Sequence, residues 1–120
     1  MRTPKIWIID IIEAVDTIKE LTTGYDFDKF KNDKRTYLAI WKLIENIGEA
    51  CSHLLKEYES DYPQIPWRKI KAMRNSLSHT YWSIDLEVVW RVITTEIDQL
   101  KSDLLPILEE LNKSEQSSSQ

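Results

Sequence analysis

The chain reads as an all-α protein, an antiparallel four- to five-helix bundle. Three observations predict this. Only two glycines and four prolines occur in 120 residues, so the chain has few places to turn. Apolar residues recur at helical spacing in four separate stretches. In one of them, Tyr37, Ile40, Ile44, Ile47, Cys51, Leu54 and Tyr58 alternate spacings of three and four, the seam of a helix packed lengthwise against others.

The first helix is predicted to start after Pro4 and run to about residue 22. Ile8, Ile11, Val15, Ile18 and Leu21 form its stripe, and Gly24 suits the left-handed position beyond its end. Trp7, Ile9 and Ile12 widen the apolar surface, so this helix should meet two neighbours or a partner chain. "YDFDKFKND" is a connection with a short helical turn around Phe27 and Phe30, and Asn32 or Asp33 can cap the next helix. That helix carries the seam. Gly48 in its middle costs about 1 kcal/mol against alanine, which a close approach by a neighbour would offset. "YESDYPQIP" ends it.

Pro66 fits the first position of a third long helix, with Trp67, Ile70, Met73 and Leu77 as its buried stripe. Ser83 or Asp85 can cap a last helix that carries Leu86, Val89, Ile93, Ile97, Leu100, Leu104, Ile107 and Leu111. Pro106 should kink that helix or split off a short final one. One domain is expected over residues 1–112, with a disordered polar tail over 113–120.

The formal net charge of −4 argues against holding long nucleic acid by broad phosphate neutralisation, so any contact with RNA should be local. One cysteine, Cys51, forms no internal disulfide and reads as buried filler. Two histidines and one cysteine make a poor zinc site, and no metal or other cofactor is expected. "IWIIDIIEAVDTI" is interrupted by Asp10 and Glu13 and is too short to span a membrane, so the expected location is cytoplasmic.

The candidate site is "MRNSLSHTYWSID", which places Arg74, Asn75, His79 and Tyr81 in an R-x4-H-x-Y spacing. On a helical wheel with Trp67 at the origin, Arg74 falls at about 340°, Ser78 at about 20° and Lys71 at about 40°. Asn75 lies at about 80°, Arg68 at about 100° and His79 at about 120°. Arg68, Lys71 and Arg74 thus form a small cationic patch, suited to RNA phosphate. Arg74 and His79 stand about 140° apart, so on one continuous helix they do not converge. Either the helix ends near Ser78 and His79 swings round, or two copies of the chain meet, Arg74 of one facing His79 of the other. Spacing alone favours the plainer reading of a wet helix face. Tyr81, at about 320°, would return to the apolar side as a core residue or serve the site. Trp67 and Trp82 read as packing rather than base-stacking groups, and His53 as a surface or partly buried polar residue.

The stretch "IPWRKIKAMRNSLSHTYWSIDLEVVW", with "ENIGEA" upstream, resembles the HEPN domain of HepT-like toxins from HEPN/MNT toxin–antitoxin systems. The resemblance spans residues 8–111. It implies a homodimer in which two R-x4-H motifs meet across a cleft, and a metal-independent endoribonuclease with Arg74 and His79 as catalytic pair. Asn75, Ser78 and Glu49 would support them, Glu49 as an orienting carboxylate or in a structural salt bridge. It also implies a cognate MNT-type nucleotidyltransferase antitoxin that adenylylates Tyr81, placing bulk and negative charge beside the cationic site. The alternative is a non-catalytic nucleotide-binding or docking subunit of a nucleotidyltransferase complex.

Overall fold

The computed structural model describes the backbone of residues 2–79 and 85–118, and the side chains of residues 2–73 and 85–116. Among the described residues every regular element is helical: α1 (Pro4–Leu21), α2 (Phe27–Lys31), α3 (Lys34–Tyr58), α4 (Trp67–His79), α5 (Leu86–Arg91) and α6 (Ile97–Ser118). A π-helical turn, Val92–Glu96, joins the last two, so Leu86–Ser118 forms one rod. The expected all-α bundle is observed.

Local chemistry sets the helix starts. Thr3 caps α1, accepting from the Ile6 N–H, with Pro4 just inside the helix where a missing N–H costs nothing. Gly24 lies beyond α1 with φ 77°, a left-handed backbone that glycine adopts without strain. Asp26 caps α2 and Asp85 caps α5, which decides between the two caps expected for the last helix; Ser83 lies outside the described residues. Pro66 stands one position earlier than expected. Its carbonyl accepts from the Ile70 N–H at 3.1 Å, which makes it the residue before the first turn of α4.

Asp33 is the cap of α3. Its carboxylate accepts from the Tyr25 hydroxyl at 2.6 Å, the Thr36 hydroxyl at 2.8 Å and the Thr36 N–H at 3.2 Å. These donors, Tyr25 first, hold the carboxyl below its ordinary value of 3.8. A lowered carboxyl stabilises the fold above the unfolded value, and the contribution is lost as pH falls from there through the folded value. Asp33→Asn is therefore expected to be less stable than the parent at neutral pH. The gap should close below the carboxylate range, as urea unfolding at the two pH values would show.

Cross-chain pairs fix the directions of the long helices. Lys5–Glu115, Asp16–Lys101 and Lys19–Asp98 link α1 to α6, so one residue number rises as the other falls and the two run antiparallel. Trp7 at the start of α1 stacks on His53 near the end of α3, so these are antiparallel too. Arg68 in the first turn of α4 grips Glu59 just past α3, and α4 runs back along α3. The core lies between these helices, with Ile8, Ile11, Ile18, Phe30, Ile40 and Ile44 wholly buried. Helix α3 is central, packed on α1 and α4 and touched by α2. Its seam is buried from Ile40 to Leu54, with Tyr37 and Tyr58 half-buried at the ends.

The rod excludes one of the two alternatives at Pro106 and runs further than residue 112. No short final helix splits off at Pro106, because α6 continues through it. Pro106 is exposed, as is Ser102, so water can reach the Ser102 carbonyl that the proline leaves without a donor. Buried Leu104 and Ile107 hold the helix on its other face. The rod also stays helical to Ser118, beyond residue 112, and Glu115 pairs there with Lys5 at 2.6 Å.

Candidate functional site

The fourth helix carries the R-x4-H spacing. Its backbone stays helical through His79, the last residue of α4. In that register the backbone positions of Arg74 and His79 lie about 140° apart around one axis. The side chains of Arg74, Asn75, Leu77, Ser78 and His79, and the whole of Tyr81 and Trp82, lie outside what the structure describes.

What positions α4 is well defined. Trp67 is 1% exposed, and its indole N–H donates to the Tyr62 carbonyl at 3.0 Å. Ile70 is buried and Met73 half-buried on the same stripe. On the wet side Arg68 donates twice to Glu59, Nε at 2.7 Å and a terminal nitrogen at 3.0 Å. This fork with Glu59 raises the guanidinium above its ordinary value and offsets much of its charge. Lys71 is half-buried and has no ion-pair or hydrogen-bond partner among the described residues. Lys69 reaches Glu96 of the π turn at 2.8 Å. Of the described cations expected to meet phosphate, then, Lys71 keeps its charge available and Arg68 shares its own.

Glu49 lies on α3 in a cleft of about 390 Å³ against α1, lined also by Trp7, Asp10, Glu13 and Asn46. Its carboxylate meets His53 Nε2 at 3.2 Å. The His53 ring stacks on Trp7 at 4.2 Å, 6° from parallel, and Arg2 covers Trp7 at 4.5 Å. His53 is half-exposed, as expected of a residue outside the motif. The Trp7–His53–Glu49 chain was not foreseen, although Glu49 and His53 are four apart on one helix and so adjacent. Burial pushes the Cys51 thiol up to about 12, so it is an uncharged core group at neutral pH. Among the described residues no three His, Cys, Asp or Glu side chains are grouped to hold a metal ion. No described helix is long and apolar enough to cross a membrane.

An all-helical bundle with R-x4-H on its fourth helix is HEPN-like in class. The profile of the HepT-like ribonuclease family matches residues 11–107, motif included. The chain is 36% identical to a protein named "Probable ribonuclease HepT" from Thermococcus cleftensis, over 83% of this chain and 91% of that one. A "Putative RNase" from Methanocaldococcus jannaschii is 30% identical over 98% of this chain and 97% of its own. A third relative, from the same organism and named "Gamma-glutamylcyclotransferase and putative RNase", is 37% identical over 91% of this chain but only 49% of its own length. No solved structure gives a significant match. The chain belongs to the HepT-like ribonuclease family.

Proposed function

We propose that the chain is a metal-independent endoribonuclease, the toxin of a HEPN/MNT pair, acting as a homodimer with one composite site. The observation that carries this reading is the backbone of α4, helical as far as His79, in which the backbone positions of Arg74 and His79 lie about 140° apart around one axis. Two copies related by a two-fold axis bring Arg74 of one to His79 of the other.

In this site one His79 takes the proton of the RNA 2'-hydroxyl as its oxygen attacks the adjacent phosphorus. The second His79 protonates the departing 5'-oxygen. The products are a 2',3'-cyclic phosphate and a 5'-hydroxyl. The two Arg74 guanidinium groups bind the phosphorane oxygens, whose charge grows in the transition state. Asn75 and Ser78 flank the pair, Glu49 orients it, and Lys71 with Arg68 receives neighbouring phosphates. The toxin is silenced when a cognate MNT nucleotidyltransferase directs the Tyr81 phenolic oxygen onto the α-phosphorus of ATP. An O–P bond forms, pyrophosphate leaves, and the added phosphate repels RNA.

The test is purified protein on RNA in excess chelator. Cleavage that persists and leaves cyclic phosphate ends supports the reading, and loss of cleavage in chelator overturns metal independence. With the partner transferase and ATP, the chain should gain the mass of AMP, and Tyr81→Phe should not. A chain that forms the heteromer yet never slows growth when expressed alone would instead be a docking subunit.

A further inference from the structure

Helix α4 and the rod Leu86–Ser118 do not close on each other. Between them lies a groove of about 470 Å³, floored by Ile47, Ile70, Met73, Val92 and Leu100. This volume falls in the range of small-molecule sites, and its apolar floor with a few polar groups at the edge has their composition. Nothing in the proposed RNA cleavage uses it.

The charged groups at its edge say what would fit. Among the described residues there are four: Lys69, Arg91, Glu96 and Asp103. Lys69 and Glu96 neutralise each other at 2.8 Å, and this pair links α4 to the rod. Asp103 accepts from the Gln99 amide at 2.9 Å. The Thr94 and Thr95 hydroxyls donate to the Arg91 carbonyl, but the Arg91 guanidinium has no ion-pair or hydrogen-bond partner among the described residues. Asp103 is twelve residues further along the rod, about 18 Å at the helical rise, too far to serve it. The Arg91 end of the groove therefore offers an apolar floor beside one unmatched cation with five N–H donors.

We propose that this groove is a binding site for a small anionic amphiphile, its apolar body lying on Ile70, Met73 and Val92 and its single acidic group on Arg91. A carboxylate or sulfonate is bound by the guanidinium fork, and the body displaces water from the floor. A cationic head of the same body meets Arg91 with like charge.

The probe is 1-anilinonaphthalene-8-sulfonate, an aromatic anion that brightens in apolar surroundings. It should bind saturably, one per chain, and be displaced by decanoate but not by decyltrimethylammonium. Arg91→Glu, at an exposed position, should weaken binding at least tenfold, and Arg91→Lys should restore part of it. Val88→Trp, which fills the groove, should abolish binding while circular dichroism stays helical. Equal displacement by the two detergents, or full affinity in Arg91→Glu, overturns the proposal. So does absence of probe binding in a parent chain that is dimeric while Val88→Trp is monomeric, since the groove would then be a subunit interface.

Discussion

His79→Ala is expected to lower RNA cleavage by about 10²- to 10⁴-fold, the span that general acid–base catalysis contributes. In a two-fold dimer the substitution removes acid and base together, so the loss should fall toward the upper end. Arg74→Ala should cost about 10²- to 10³-fold, as removal of a group aimed at developing charge does. The decisive measurement mixes the two. In a dimer of one Arg74→Ala chain and one His79→Ala chain, no single chain keeps both groups. One pair survives only between chains, Arg74 of the second with His79 of the first. If pairing crosses the interface, the activity of this mixed dimer should exceed that of a dimer of one parent chain and one Arg74→Ala/His79→Ala chain, which keeps the same two groups on a single chain. A mixed dimer no better than that control would refute the cross-chain site, and cleavage unchanged in His79→Ala would remove histidine from the mechanism.

Trp67→Ala is expected to destabilise the fold by about 3–5 kcal/mol, the usual cost of removing a buried aromatic side chain. The indole is 1% exposed at the start of α4, and its loss also removes one of the two N–H groups that donate to the Tyr62 carbonyl, the other being that of Ile65 at 3.2 Å. A total stability of about 5–15 kcal/mol is ordinary for a domain, so this one change should remove a large share of it. Trp67→Phe keeps most of the apolar volume and should lose less, about 0.5–1.5 kcal/mol for the one hydrogen bond removed, plus some packing. Urea denaturation of the three proteins tests the ranking. A loss below about 1 kcal/mol in Trp67→Ala would mean that α4 is held chiefly by something other than its first turn.

How far the sequence could be read depended on the range of each interaction. The seam of α3 was legible because burial on one face imposes a repeat of three and four residues on the chain itself, from Tyr37 to Tyr58. Asp33 and Asp85 were legible as caps because a capping carboxylate bonds to N–H groups two or three residues away. Tertiary ion pairs were not. Lys5 and Glu115 lie 110 residues apart, and nothing local marks them as partners. Arg68 looked like a free phosphate ligand because Glu59 reaches it across a turn with no periodic relation to it. The π turn did leave a trace: Val89, Ile93 and Ile97 are separated by two successive fours, more than an α-helix accommodates without drifting off its face. The residue types of the site and their spacing on α4 were legible too. Whether Arg74 and His79 can act on one phosphate was not, since a wheel drawn for one chain holds no second copy.

That π turn lets a single rod satisfy two neighbours that disagree about phase. Before it, Trp90 leans on Phe30 at 5.1 Å, tying the rod to α2. After it, Asp98 and Lys101 are dialled to Lys19 and Asp16 on α1. An unbroken α-helix has one angular setting and would have to compromise between these two docking faces. The extra residue in Val92–Glu96 works as a phase corrector: it resets the angle of everything downstream while the axis carries on. Its length in residues, rather than the identity of any one of them, is then what keeps the two ends of the bundle in register.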